Sequence, residues 1–92
     1  MEQSKKDAGT IAALMIRLKE ARLPRAKSLL DKVNGGDKLS DGDIQFLKRV
    51  YEDSRANHAL VSRNPEYHVL IAQFIDLYTE ITTKGLENEK SQ

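Results

Sequence analysis

The sequence predicts an all-α protein, a small antiparallel bundle of three to four helices. Apolar residues recur at the spacing of three, four and seven residues that is typical of amphipathic helices. No segment alternates apolar and polar residues over the length of a strand. Because the breaks between the helical stretches are short, we expect consecutive helices to lie antiparallel.

The first helical stretch has one apolar face that continues past a proline. Its apolar residues are Ile11, Leu14, Met15 and Leu18, followed by Ala26, Leu29, Leu30 and Val33. Thr10 suits the N-cap position, and Asn34-Gly35-Gly36 is a strong helix stop. Pro24 has no N–H to donate and disfavours the α conformation of Leu23. We therefore predict one helix bent at Pro24, or two short helices nearly end to end.

The second helix should begin after Ser40, because Ser40 and Asp43 form a variant capping box. Its apolar face fades near Asn57. Asn64-Pro65-Glu66 marks the start of the last helix, with a cap, a proline at the first helical position and an acid in the first turn.

The last helix has a broad apolar face, which predicts a central position in the bundle. Its apolar residues are Tyr67, Leu70, Ile71, Phe74, Ile75, Leu77, Tyr78 and Ile81. The chain is polar beyond Leu86. The predicted organisation is a disordered N-terminal segment over residues 1–9, one helical domain over 10–86, and a frayed polar tail over 87–92.

Composition excludes several classes of protein. The chain has no cysteine, which excludes a disulfide scaffold, a cysteine zinc site and a thiol nucleophile. Neither a secretory signal nor an apolar run long enough to cross a bilayer is present, so we expect a cytoplasmic protein that does not bind membranes. The net charge is +1, but residues 1–34 are net basic and residues 35–92 are net acidic.

No motif predicts a metal site, a cofactor or catalysis. The loop from Asp37 has Leu39 and Lys48 where a calcium-binding EF-hand requires oxygen ligands. His58 and His68 have no second histidine or carboxylate four residues further on, so neither forms a local metal pair. We expect a protein without cofactor or metal that is not an enzyme.

Arg22-Leu23-Pro24-Arg25 is the most informative stretch for function, because both arginines project close to the apolar face of a continuous helix. Three alternatives remain: the proline turns them to solvent, they pair with carboxylates of another helix, or they bind an acidic or phosphorylated partner. If the first and last helices are neighbours, Tyr67 and His68 could share that surface.

The sequence thus favours a small soluble helical module that binds another protein, as a regulator or accessory subunit. The predicted partner-binding residues are Arg22, Arg25, Tyr67 and His68, with Val69 and Leu60-Val61 as the next surface to consider. The alternative is a nucleic-acid-associated protein that uses the basic segment 17–32. A homo-oligomer is left open.

Overall fold

The computed structural model describes the backbone of residues 2–91 and the side chains of residues 9–90. This part of the chain is helical and contains no strand, which confirms the all-α prediction. The elements are α1 (Glu2–Arg17), a π-helical segment (Leu18–Arg22), α2 (Leu23–Asn34), α3 (Asp41–Ala56), α4 (His58–Arg63) and α5 (Pro65–Ser91).

The first two helices form one continuous rod, joined by the π-helical segment just before Pro24. The backbone angles of Arg17, Arg22 and Leu23 are all right-handed helical. Leu23 donates its N–H to the carbonyl oxygen of Leu18, so this turn contains one residue more than an α-turn. The wider turn relieves the clash between the proline ring and the carbonyl four residues earlier. It also keeps Leu18 and Leu23 on the buried face.

Both ends of the helical region differ from the predicted boundaries. Thr10, the predicted N-cap, lies within α1, which begins at Glu2. The residue types over 2–8 include Glu, Gln, Lys and Ala, which favour helix when a longer helix follows. At the other end, α5 continues to Ser91, through residues that the sequence predicts as a frayed tail. Met1 and Gln92, which belong to the predicted terminal segments, lie outside the described residues.

The helices run up, down and up along an elongated molecule of 55 × 20 × 20 Å. Lys32 pairs with Asp43, and Arg22 pairs with Asp53, so α2 and α3 are antiparallel. Leu39 lies against Gly85 while the ring of Tyr51 stacks on that of Tyr78, so α3 and α5 are antiparallel too. The rod of α1 and α2 is therefore parallel to α5.

The core lies mainly between α2 and α5. The side chains buried at 2% exposure or less are Leu18, Ala26, Val33, Leu47, Val50, Phe74 and Ile81. Tyr67 and Leu70 are also buried, and Tyr78 packs partly buried against the same cluster. Because α5 contacts every other α-helix, the prediction that it is the central helix is confirmed.

The two predicted helix signals around residues 34–43 are confirmed. Gly36 has a φ of 98°, in the left-handed region that favours glycine after a helix. At the start of α3, the Asp43 N–H donates to Ser40 Oγ, and the Ser40 N–H donates to the Asp43 carboxylate. This reciprocal pair is the capping box that the sequence predicts.

The fading apolar face near Asn57 corresponds to a break between α3 and α4. The side-chain amide of Asn57 donates to the carbonyl oxygen of Asp53, which ends α3. Asn64 likewise donates to the carbonyl oxygen of Leu60 and is the single residue between α4 and α5. In the part of the chain that the structure describes, no helix is both long enough and apolar enough to cross a membrane.

Candidate functional site

Arg22 pairs within the fold. Its guanidinium lies 2.7 Å from the carboxylate of Asp53, and its side chain is only 16% exposed. The buried ring of Tyr67 lies near this pair. Burial raises the pKa of the Tyr67 hydroxyl, the positive charge of Arg22 opposes that rise, and Asp53 adds to it. Of the three alternatives for Arg22, pairing with a carboxylate of another helix is the one observed.

Arg25 lies on the surface between α2 and α3. Its guanidinium carbon is 4.2 Å from the centre of the Phe46 ring, a cation–π contact. Further along α2, Lys32 lies 2.7 Å from the Asp43 carboxylate. Several cations of the basic segment 17–32 are therefore engaged with groups of α3.

His68 lies on a different side of α5 from Tyr67. It is exposed and lines a cleft between α3, α4 and α5, together with His58. The structure thus brings the partly buried Arg22 close to the buried Tyr67, but places Arg25 and His68 on separate surfaces. The four predicted partner-binding residues do not form one continuous surface.

The surface that stands out for binding is a groove between α1 and α5. Its volume is about 290 Å³. We call it the α1–α5 groove; its lining residues are Met15, Lys19, Glu66, Val69 and Leu70. Val69 is 54% exposed, and Ile16, the residue after Met15, is 55% exposed. Exposed large apolar side chains at a groove are typical of interaction surfaces.

The electrostatics of the α1–α5 groove come from its two polar residues. Lys19 lies in the π-helical segment that follows α1, Glu66 lies in the first turn of α5, and both are exposed. Neither residue takes part in an ion pair among the described residues. The groove therefore combines an apolar surface with one free positive and one free negative charge.

Only part of this groove could be predicted from the sequence. Val69 is a predicted candidate, but Leu60, which was predicted with it, is half-buried and Val61 is buried, so that pair does not extend the surface. Met15 and Ile16 were not predicted to be binding residues. Met15 has the spacing of a core residue. One signal in the sequence indicates an exposed apolar residue here: the six residues from Ile11 to Ile16 are all apolar, so they cannot all lie on one face of a helix.

Two further exposed apolar residues lie together at the opposite end of the bundle from Val69. Ile44 of α3 is 47% exposed and Leu86 of α5 is 53% exposed. They line a smaller depression of about 190 Å³ beside Gly85.

Within the described residues, no group of three or more His, Asp or Glu side chains is placed to hold a metal ion. The chain matches no protein-family model, and comparisons with curated proteins and with solved structures give no significant match.

Proposed function

We propose that this protein is an interaction module that binds an α-helix of a partner protein in the α1–α5 groove, and that it acts by binding rather than by catalysis. The observation that carries the proposal is the exposure of Val69 beside Met15 and Leu70 in a groove between two helices. An amphipathic helix that lies in such a groove covers apolar surface on both of its walls.

Charge complementarity specifies the partner helix further. A helix in the groove would meet Lys19 on the α1 side and Glu66 on the α5 side. An acidic residue facing Lys19 and a basic residue facing Glu66 would fix the direction of the bound helix. Such exposed pairs contribute mainly to specificity and association rate, whereas burial of the apolar residues supplies most of the affinity.

The experiment starts from photocrosslinking in the native host. A photoreactive amino acid at position 69 should capture one protein, and the same amino acid at position 86 should not. The captured protein is then purified and its affinity measured by calorimetry. We expect Val69→Asp to weaken binding by about tenfold or more, since it places an unpaired charge in an apolar interface.

Leu86→Asp is the matched control, because Leu86 is equally exposed on the same helix but lies outside the groove. It should leave the affinity within about twofold. Equal losses for both variants would contradict the proposal. If sedimentation instead shows a dimer of this chain that Val69→Asp dissociates, the occupant is a second copy and the proposed partner is wrong.

The alternative of nucleic-acid binding through segment 17–32 is not supported by a specific feature. Arg22 and Lys32 pair with carboxylates of α3, and the acidic residues Glu20 and Asp31 lie within the same segment. A salt series still separates the two functions, because binding through phosphates weakens log-linearly with salt concentration.

A further inference from the structure

A second cleft, on another side of α5, has a different chemical character. It is enclosed by α3, α4 and α5 and has a volume of about 350 Å³. We call it the histidine cleft. Its polar residues include Arg55, His58 and His68, and its apolar residues are Val61, Ile71 and Ile75. No Asp or Glu is among its lining residues.

Arg55 is the permanent positive charge of the histidine cleft. Its side chain takes part in no ion pair among the described residues. The two acidic residues that precede it most closely on α3 have other partners: Asp53 pairs with Arg22 at 2.7 Å and Glu52 with Lys48 at 4.0 Å. The guanidinium is therefore available to a ligand, and its planar set of donors matches a carboxylate.

The two histidines add hydrogen-bond donors beside this charge. Nδ1 of His58 lies 3.4 Å from Ser62 Oγ. When the Ser62 hydroxyl donates to Nδ1, the neutral ring carries its hydrogen on Nε2, and Nε2–H remains free to donate. His68 contributes a second exposed imidazole from α5.

We propose that the histidine cleft binds an organic carboxylate attached to a short apolar body. Arg55 receives the carboxylate, the histidines donate further hydrogen bonds, and the apolar body covers Val61, Ile71 and Ile75. The volume is at the lower end of the range of small-molecule sites, which suits a ligand of this size. The site does not depend on the α1–α5 groove, because the two share no lining residue.

The test is an NMR titration of the intact chain with hexanoate. Binding should be saturable, and the resonances of Arg55, His58, His68 and Ile71 should shift most. Hexanamide, which has a similar shape but no charge, should bind about tenfold more weakly or worse. Inorganic phosphate should also bind more weakly, because it has no apolar body.

Arg55→Gln should weaken hexanoate binding by about fivefold or more, whereas Arg49→Gln should leave it within about twofold. Arg49 is the matched control, since it is an exposed arginine of α3 outside the cleft. Unchanged melting temperatures will show that both variants fold. Equal binding of hexanoate and hexanamide, or equal effects of the two substitutions, would overturn the proposal.

A second pair of probes identifies the source of the carboxylate. A short peptide that ends in leucine with a free C-terminus is compared with its amidated form. Tighter binding of the free peptide than of hexanoate would assign the site to a protein C-terminus. Weaker binding than hexanoate would assign it to a free organic acid.

Discussion

Asn88 connects the last turns of α5 to the end of α2 through Val33. The side-chain nitrogen of Asn88 lies 2.8 Å from the carbonyl oxygen of Val33 and 2.9 Å from that of Asp37. Carbonyl groups at the end of a helix lack partners within the helix. Asn88 is 7% exposed, so these carbonyls provide its buried amide with acceptors, and the Val33 carbonyl accepts from the Gly36 N–H as well.

The first prediction is that Asn88→Ala lowers the free energy of unfolding by about 1–3 kcal/mol, because it removes two hydrogen bonds, one of them buried, that join α5 to the end of α2 and the loop after it. Urea unfolding followed by circular dichroism measures the change. Glu89→Ala is the control, since Glu89 is exposed beside it, and should change stability by less than about 0.5 kcal/mol. Equal effects of the two substitutions would show that the Asn88 bonds contribute little.

Local signals explain why most of the fold could be predicted. The start of α3 depends on Ser40 and Asp43, which are three residues apart, so the sequence contains the whole capping box. Periodicity likewise placed Phe74 and Ile81 on the buried face of α5. The buried position of Asn88, by contrast, could not be predicted from local sequence. It is a polar residue in a polar tail, and its partners are 51 and 55 residues away in the chain.

The candidate sites were less predictable for the same reason. The position of Arg22 near the apolar face indicated a constrained charge, but its partner Asp53 is 31 residues further on. His58 and His68 are ten residues apart on different helices, and only the packing of α4 against α5 places them in one cleft.

The second prediction concerns the centre of the core. Phe74 is fully buried, so Phe74→Ala should cost about 3–5 kcal/mol of unfolding free energy through lost burial and a residual cavity. Gln73→Ala, at the exposed neighbouring position, should change stability by less than about 0.5 kcal/mol. Thermal or urea unfolding measures both. A loss under about 1 kcal/mol for Phe74→Ala would mean that α5 is not the central helix.

The third prediction is that Arg22 and Asp53 stabilise the fold together. A double-mutant cycle with Arg22→Gln and Asp53→Asn should give a coupling energy of about 1 kcal/mol, the upper end for partly exposed ion pairs. Lys48 and Glu52 form the control pair, 4.0 Å apart with side chains 73% and 62% exposed. Their coupling should be at most about 0.5 kcal/mol. If the cycle gives no coupling energy between Arg22 and Asp53, the ion pair does not hold Arg22, and its guanidinium is available to bind a partner.

The fourth prediction concerns the π-helical segment. Pro24→Ala removes the ring clash, after which the extra residue in this turn is no longer needed. Deleting the exposed Ala21 in that variant should therefore keep Leu18 and Leu23 on one face and change stability by less than about 1 kcal/mol. Unfolding curves of the two variants measure the difference.

Deletion of Lys27 is the control for that experiment, since Lys27 is an exposed residue of the regular helix α2. It rotates one half of the rod by about 100° against the other, which turns Leu29 and Val33 away from the core. It should cost more than about 3 kcal/mol. If both deletions are equally damaging, the π-helical segment does not act as a single extra residue.

The last prediction concerns pH. Burial raises the pKa of the Asp43 carboxyl, but the hydrogen bonds from Lys32 and Ser40 outweigh burial, and the pKa is lowered from 3.8. A carboxyl whose pKa is lower in the folded chain stabilises the fold above its unfolded pKa and loses that contribution as the pH falls through its folded pKa. The free-energy difference between the native chain and Asp43→Asn should therefore be constant above about pH 5 and shrink below about pH 4.

Urea unfolding of both proteins between about pH 3 and pH 7 measures this difference, and subtraction removes the contribution of the other carboxyls. Asp41→Asn, at an exposed position in the same first turn of α3, is the control. It retains the bonds of Asp43 to Lys32 and Ser40, so its stability should follow that of the native chain more closely across the range. If the Asp43→Asn difference is the same at pH 3 and pH 7, the ionised carboxylate does not supply the stability of this helix start.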